Sequence, residues 1–207
     1  MSEITSVEVQ KKDKKRCNVY VDGRFYCGVS IEVAVKYRLK AGTVIEKSRL
    51  DEIQLENEKS RALDRAMTHL SASLKTKKQM RDFLSGKGYT DAVIDYVFER
   101  LEYYNFIDDE AYCRAYVQSI KGKGKRALEA DLLKRGADKS AIEAVLDGYE
   151  EDDGVAFSVL QKYMRGKERG KGSLYKGLKY LMSKGYGYDT AKSAIERFGD
   201  TDEDYPN

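Results

Sequence analysis

Three copies of one five-residue pattern decide the fold: Leu84-Ser85-Gly86-Lys87-Gly88, Leu132-Leu133-Lys134-Arg135-Gly136 and Leu181-Met182-Ser183-Lys184-Gly185. Each copy has a leucine, two further residues, a cation and a glycine, and the final glycines lie 48 and 49 positions apart. This pattern is typical of a helix C-terminus, because glycine adopts the left-handed cap and the cation faces the negative end of the helix dipole. Repetition at this period indicates a tandem array of helical units that pack on their neighbours.

The chain around these copies has a helical pattern from about residue 56 onward. Apolar residues recur at i, i+3, i+4 and i+7, and three such stripes per period predict three helices in each unit. The predicted fold class is therefore mostly α, with three tandem three-helix units in an elongated array. The predicted boundaries are residues 56–107 for repeat 1, 108–151 for repeat 2 and 152–199 for repeat 3, followed by an acidic disordered tail over 200–207.

Residues 1–55 have a different pattern, which predicts a small α+β module that precedes the repeats. Asp22-Gly23 lies between two apolar stretches and is a strong signal for a β-hairpin. Ser30 is the predicted N-cap of a helix that continues to about Leu39, and a further short helix is predicted to begin at Ser48. The predicted buried stripe of the first helix consists of Ile31, Val35 and Leu39.

The three cysteines are Cys17, Cys27 and Cys113, and none of them has CxxC spacing. An odd, sparse set of this kind argues against a disulfide framework and against a zinc site. A two-residue turn at Asp22-Gly23 places Cys27 opposite Asn18 and puts Cys17 on the other face of the hairpin. We therefore expect no disulfide, no metal and no cofactor.

Composition and charge exclude several classes of protein. The chain is 41% hydrophobic and 35% charged, with a formal net charge of +3, so it can bury a lean core. It has no apolar run long enough to span a membrane, and its N-terminus lacks a signal-peptide pattern. The expected protein is a cytoplasmic monomer that does not bind membranes.

Residue patterns for catalysis are missing from the sequence. The single histidine, His69, lies on the flank of a predicted helix, where a surface or boundary role is much more common than a general base. Gly122-Lys123-Gly124-Lys125-Arg126 resembles a phosphate loop only in composition, because no strand precedes it and the Walker spacing is wrong. We predict that the protein is not an enzyme.

Acidic pairs begin repeats 2 and 3, at Asp108-Asp109 and Asp152-Asp153. Carboxylates at a helix start accept from free backbone N–H groups and complement the dipole. Adjacent carboxylates of this kind are more often caps than metal ligands. Asp108 and Asp109 are therefore predicted structural residues, together with Gly88, Gly136 and Gly185 of the repeated pattern.

Basic, glycine-rich loops follow the first helix of the repeats and are the sharpest functional signal. Lysines on such a loop suit a polyanion, because each phosphate contact releases counterions. The same cations could match an acidic protein groove, and the plain alternative is a solvated charge run that keeps the array soluble. The predicted binding residues are Lys121, Lys123, Lys125, Arg126, Lys134, Arg135, Arg165, Lys167, Arg169, Lys171 and Lys184.

The second repeat contains Asn105-Phe106-Ile107-Asp108-Asp109-Glu110-Ala111-Tyr112-Cys113-Arg114-Ala115-Tyr116-Val117, followed by Gly124-Lys125-Arg126-Ala127-Leu128 and the copy at 132–136. These residues resemble the RecX family, whose members regulate the RecA recombinase. The first repeat also fits, through Ala66-Met67-Thr68-His69-Leu70-Ser71 and Lys87-Gly88-Tyr89. The chain departs from the family in having Lys75-Thr76 and Gln79-Met80 where an Arg-Ser and a Glu-Leu are usual.

This resemblance covers roughly residues 57–199 and implies a non-enzymatic function. RecX-like proteins bind the RecA–single-stranded DNA filament in its helical groove, inhibit ATP hydrolysis and strand exchange, and favour disassembly. The implied partners are the RecA filament and single-stranded DNA, the latter directly or through the filament. The alternative is a direct nucleic-acid binder with helix-turn-helix-like units, which requires base-reading side chains that the helix near residues 139–144 does not offer.

Overall fold

A computed structural model describes residues 1–168 and 170–200. Arg169 and residues 201–207 of the predicted tail over 200–207 lie outside the described residues, and Asp200, where that tail was predicted to begin, is helical. The chain divides into two compact units, one of residues 1–73 and 81–106, the other of residues 74–80 and the chain from 107 onward. Within the described residues the elements are β1 (Ser2–Val9), β2 (Arg16–Val21), β3 (Arg24–Ser30), α1 (Ile31–Lys36), β4 (Val44–Ile45), α2 (Lys47–Ala72), α3 (Lys77–Gly86), α4 (Asp91–Tyr103), α5 (Asp109–Ser119), α6 (Lys125–Lys134), α7 (Lys139–Leu146), α8 (Asp153–Met164), α9 (Lys171–Ser183) and α10 (Tyr188–Asp200).

The four strands form an antiparallel sheet in the order β3-β2-β1-β4. The predicted hairpin is present, and Asp22 and Gly23 both have positive φ, at 49° and 77°. Two central residues of this kind match the right-handed twist of the flanking strands. The sheet packs one face on a core that includes Ile4, Val19 and Val29, each with no exposed surface.

The prediction that Cys27 lies opposite Asn18, with Cys17 on the other face of the hairpin, is wrong because β3 contains a bulge. Tyr20 pairs with Phe25, but the next pair joins Val19 to Cys27, so Tyr26 is an extra residue. The extra residue reverses the side-chain alternation, and Cys17 and Cys27 both lie in the buried core. Burial raises the pKa of the Cys27 thiol to about 11, and all three cysteines are free thiols.

The predicted N-cap of α1 is confirmed, but its predicted length and buried stripe are wrong. The Ser30 hydroxyl oxygen accepts from the backbone N–H of Val33 at 3.2 Å. The helix ends at Lys36 because Arg38 takes the left-handed conformation, with φ of 50°, and closes the C-terminus. Val35 is consequently 70% exposed and Ile31 half-buried, whereas Val33 belongs to the core. Of the predicted stripe, Leu39 is buried as expected.

The predicted short helix at Ser48 is the start of the 26-residue helix α2. No glycine or proline interrupts residues 47–72, so nothing ends the helix near the predicted module boundary at residue 55. Asn57, which is 1% exposed, holds α2 against the end of the sheet, because its amide oxygen accepts from the Ser30 N–H at 2.8 Å. One helix therefore serves both the N-terminal module and the first three-helix unit.

The tandem three-helix units are confirmed. Repeat 1 uses the later part of α2 with α3 and α4, repeat 2 consists of α5–α7, and repeat 3 consists of α8–α10. The leucines that begin the repeated pattern, Leu84, Leu132 and Leu181, have no exposed surface. The glycines that end it have φ of 83° at Gly88, 76° at Gly136 and 90° at Gly185.

Candidate functional site

Asp109 lies between the N-termini of α3 and α7, and we call this contact the first joint. Its carboxylate accepts from the backbone N–H of Lys77 at 2.8 Å and from that of Asp138 at 2.8 Å. These two N–H groups lie at the starts of α3 and α7, where the helices leave donors unsatisfied. Asp109 is 3% exposed, so a single buried carboxylate ties two helix N-termini together. Asp108, one residue earlier, is the N-cap of α5.

Glu151 forms an equivalent joint at the start of α6. Its carboxylate accepts from the N–H of Lys125 at 2.8 Å and from the N–H of Gly187, which precedes α10, at 2.8 Å. The carbonyl of Lys184 accepts from the Gly124 N–H at 3.0 Å, just as the carbonyl of Arg135 accepts from the Thr76 hydroxyl at 3.0 Å. The two acceptor carbonyls thus occupy the same position of the repeated pattern, immediately before its final glycine.

Gly124 and Gly185 are in direct backbone contact at the second joint. A Cβ atom added to Gly124 would lie 2.2 Å from the Tyr186 nitrogen, and one added to Gly185 would lie 2.3 Å from the Ala127 nitrogen. Both glycines are buried. Gly124 therefore provides close approach of two helices, whereas the sequence pattern had suggested a flexible binding loop.

Lys123 is the next cation of this loop, and it is engaged within the chain. Its ammonium pairs with the carboxylate of Asp131, which also accepts from the Tyr116 hydroxyl at 2.8 Å. The hydrogen bond from Lys123, followed by that from Tyr116, holds the pKa of Asp131 below its usual value. The carboxylate in turn raises the pKa of Lys123. This lysine contributes less charge to a partner than its sequence position suggests.

Arg135 is also held by neighbouring side chains. Its guanidinium donates to the Tyr112 hydroxyl at 3.3 Å and lies 4.6 Å from the centre of the Tyr116 ring. Lys134, one residue earlier, is exposed. Of the remaining loop cations, Lys121 and Arg126 are exposed and Lys125 is half-buried.

A groove of about 640 Å³ brings together cations from three elements of the second compact unit. Lys121 comes from the loop before α6, Lys162 from the last turn of α8 and Lys184 from the C-cap of α9. All three side chains are exposed, and Tyr180 lines the groove beside them. The structure therefore joins two predicted residues, Lys121 and Lys184, to Lys162, which the sequence analysis missed.

Lys162 was not predicted because the basic, glycine-rich loops were the sequence signal for binding, and this lysine lies on a helix. It sits between Leu160, which is buried, and the core residue Met164, so its helix was assigned a packing role. The only available signal was its place opposite the apolar stripe, which many solvated lysines share.

Two stacked tyrosines extend the groove toward the loop after α8. The rings of Tyr163 and Tyr180 are 4.1 Å apart and nearly parallel, at 12°. Lys167 lies 3.1 Å from the centre of the Tyr163 ring, and Lys184 lies 5.3 Å from the centre of the Tyr180 ring. A cation thus flanks each ring of the pair, which fixes two lysines of different loops over aromatic faces.

The remaining predicted residues of repeat 3 lie around the same loop. Arg165 is exposed at the C-cap of α8, and Lys171 is exposed at the first position of α9. Arg169 lies outside the described residues. Repeat 3 also has an excess of positive charge. Residues 152–199 carry ten Lys and Arg against five Asp and Glu, whereas residues 108–151 carry eight Lys and Arg against ten Asp and Glu.

Two features are absent from the part of the chain that the structure describes. None of the helices in 1–168 and 170–200 combines the length and apolarity needed to cross a bilayer. In the same residues, no group of three or more His, Cys, Asp and Glu side chains is arranged to hold a metal ion.

Tandem three-helix repeats with carboxylate joints and a lysine-lined groove define the chain as a helical-repeat protein. Comparison with protein families assigns its parts. Residues 2–46 match the regulatory protein RecX N-terminal domain, residues 62–101 the first RecX three-helix domain, and residues 108–146 the second. The chain belongs to the RecX regulatory-protein family.

Individual relatives are similar to this chain over almost its whole length. Regulatory protein RecX of Clostridium botulinum (strain Alaska E43 / Type E3) is 30% identical over 203 residues, which cover 95% of this chain and 96% of that protein. Regulatory protein RecX of Clostridium tetani (strain Massachusetts / E88) is 31% identical over 204 residues, with 95% and 94% coverage. The similarity therefore includes the N-terminal module as well as the repeats.

Solved structures show the same fold. A crystal structure of regulatory protein RecX superposes with a TM-score of 0.67 at 23% identity, covering 95% of this chain and all of that one. The crystal structure of RecX from Lactobacillus salivarius superposes with a TM-score of 0.61 at 24% identity, covering 69% and 97%.

Proposed function

We propose that this chain is a negative regulator of homologous recombination that binds the RecA–single-stranded DNA filament in its groove. Bound there, it inhibits ATP hydrolysis and strand exchange and performs no reaction itself. It acts as a cytoplasmic monomer. Membership of the RecX regulatory-protein family supports the regulatory role, and the cation distribution of repeat 3 supports a polyanionic partner.

The groove lined by Lys121, Lys162 and Lys184 is the observation that carries this proposal. Three exposed ammonium groups from separate elements converge on it, and lysine is a point-charge ligand for phosphate and carboxylate. A filament repeats its acidic groups along its length. A protein of tandem units can therefore make several weak contacts at once, which add through effective concentration.

A charge-reversal pair tests the groove. Lys162→Glu with Lys184→Glu should weaken binding to a RecA filament by at least about tenfold, because attraction becomes repulsion at two positions. Inhibition of the filament's ATP hydrolysis should fall in parallel, and far-ultraviolet circular dichroism should be unchanged. Binding by biolayer interferometry and ATP hydrolysis by a coupled assay give the two readouts.

The matched control is Lys139→Glu with Lys176→Glu. Both lysines are exposed, lie outside the groove and belong to the same compact unit, so the change in net charge is identical. The control should keep binding within about threefold of wild type, since distant surface charges act mainly on the association rate. Equal losses in the two variants would show that total charge, and not the groove, determines binding.

A second candidate function is direct binding of single-stranded nucleic acid, favoured by the stacked pair Tyr163 and Tyr180 beside two lysines. Aromatic rings with adjacent cations are a platform on which bases stack. Affinity for bare single-stranded DNA and for the assembled filament, each measured over a series of salt concentrations, separates the two functions. Equal affinities with a steep salt dependence favour the direct binder, and preference for the filament favours the regulator.

A further inference from the structure

A second basic groove, of about 600 Å³, lies in the N-terminal module. Its walls are the β1–β2 loop, the start of α1 and the middle of α2. Among the residues that line it, five are cationic, three are acidic and none is aromatic. The cations are Lys14, Lys15, Arg16, Arg61 and Arg65, and the other lining residues are Asp13, Ser30, Ile31, Glu32 and Asp64.

The walls of this groove are fixed by backbone hydrogen bonds. The carbonyl of Lys15 accepts from the Ile31 N–H at 2.9 Å, which joins the loop to the start of α1. The Asp13 carboxylate accepts from the Lys15 N–H at 3.0 Å and holds the turn. On the other side, Asn57 fixes α2 to Ser30. The cations are therefore presented by a preorganised frame, which lowers the cost of ordering them on binding.

Three of the cations have no internal ion pair. In the described part of the chain, Lys14, Lys15 and Arg61 have no acidic partner within salt-bridge distance. Arg16 donates to the Gly28 carbonyl at 2.9 Å, but its buried Nε–H has no acceptor in the described residues. Cations without internal ion pairs indicate a site for an anionic ligand, because their charge is available to a group from outside the chain.

The chemistry of the lining favours a phosphate backbone over an acidic protein surface. Protein interfaces have an apolar core with aromatic anchors, and only Ile31 supplies an aliphatic side chain here. Contacts to phosphate need only charge and donors, and they carry no sequence information. The absence of aromatic rings from this lining also distinguishes it from the groove of Lys121, Lys162 and Lys184, which Tyr180 lines.

We propose that the groove formed by Lys14, Lys15, Arg16, Arg61 and Arg65 is a separate site for the phosphates of single-stranded nucleic acid. It rests on the proposed function only in that single-stranded DNA is the polymer to which the chain is recruited. This site adds a salt-sensitive contact that does not depend on base identity.

The test is the salt dependence of binding to a fluorescein-labelled oligo(dT), measured by anisotropy on the full chain. The variant replaces Lys14, Lys15 and Arg61 by Gln. Loss of three phosphate contacts should make the plot of log affinity against log salt shallower by roughly 2, since each contact contributes about 0.7 for a single strand. Affinity at low salt should fall about tenfold or more.

The matched control replaces Lys11, Lys12 and Arg24 by Gln. These exposed cations belong to the same module and do not line the groove, so net charge changes equally. The control should keep the wild-type slope. Should the triple variant unfold, Lys14→Gln with Lys15→Gln alone should reduce the slope by roughly 1.4.

Three outcomes overturn the inference. They are a wild-type slope in the groove variant, an equal loss in the control, and loss of poly(L-glutamate) binding in the groove variant with oligo(dT) binding retained. The last outcome would assign the groove to acidic proteins. Each leaves the regulatory proposal standing, because that proposal is tested at Lys162 and Lys184 on the filament.

Discussion

The loops before α6 and before α9 occupy the same place in repeats 2 and 3, yet they have different roles. In repeat 2, Gly124 packs on the backbone of Tyr186 and Lys123 pairs with Asp131. In repeat 3, Gly170 has no atom within 4 Å of an added Cβ, and Lys167 lies over an aromatic ring next to the groove. Similar basic, glycine-rich sequences thus form a close-packed joint in one repeat and an open, cation-bearing loop in the other.

Alanine substitution at the two equivalent glycines gives the largest expected contrast. Gly124→Ala should destabilise the chain by about 3 kcal/mol, because the added methyl meets backbone atoms that cannot move independently. Gly170→Ala should cost less than about 1 kcal/mol, the ordinary effect of alanine at an N-cap. Urea denaturation monitored by circular dichroism measures the stability of both variants. Similar midpoints would show that the joint accommodates the added methyl group at Gly124.

Removal of a joint carboxylate is the next largest effect. Asp109→Ala leaves the N–H groups of Lys77 and Asp138 without their acceptor and should cost about 2 kcal/mol. Glu151→Ala should cost a similar amount if the two joints are equivalent. Glu143→Ala, at an exposed position of α7, is the control and should have a midpoint close to that of wild type. A near-zero effect at Asp109 would contradict the joint.

Substitution of single lysines should change stability at one position and filament binding at another. Lys123→Gln should cost about 0.5 kcal/mol through loss of its ion pair and leave filament affinity within about twofold. Lys167→Gln should leave the urea midpoint unchanged and reduce filament affinity roughly threefold. The sequence-based prediction that Lys123 contacts the filament is the opposite of the first result, so the affinity measurement decides between them.

The smallest expected effect is a pH dependence at Asp131. Because hydrogen bonds from Lys123 and Tyr116 lower its folded pKa below 3.8, Asp131 stabilises the fold above that pH, and the stabilisation is lost as the pH falls through the folded value. Asp131→Asn should therefore be less stable than wild type at neutral pH, and the difference should shrink below about pH 4. Urea midpoints of both proteins across this range give the measurement. A difference that is the same in acid and at neutral pH would rule out ionisation as its cause.

The sequence predicted features that depend on local chemistry. The Asp22-Gly23 turn, the Ser30 cap and the three-helix period all follow from residues within a few positions of one another. The bulge at Tyr26 was not predictable, because neighbouring residues give no sign of the extra position. The end of α1 was missed because Arg38, and not a glycine, takes the left-handed conformation.

The joints and the groove could not be found from local patterns. Gly124 and Gly185 are distant in sequence, and only the packed structure shows that their backbones touch. Glu151 was placed at a repeat boundary without a role, because its two donors belong to different repeats. Lys162 joins Lys121 and Lys184 only through helix packing.

The carboxylate joints also bear on how such a chain can change over evolutionary time. Their donors are main-chain amides, which every residue except proline provides, so one acidic side chain per joint suffices as long as the close-packed glycines are kept. Solvent-facing positions on either side are left free to diverge, and duplication or loss of a whole repeat would preserve a usable connection. Selection can then change the surface residues to suit a new partner while the helical scaffold stays the same.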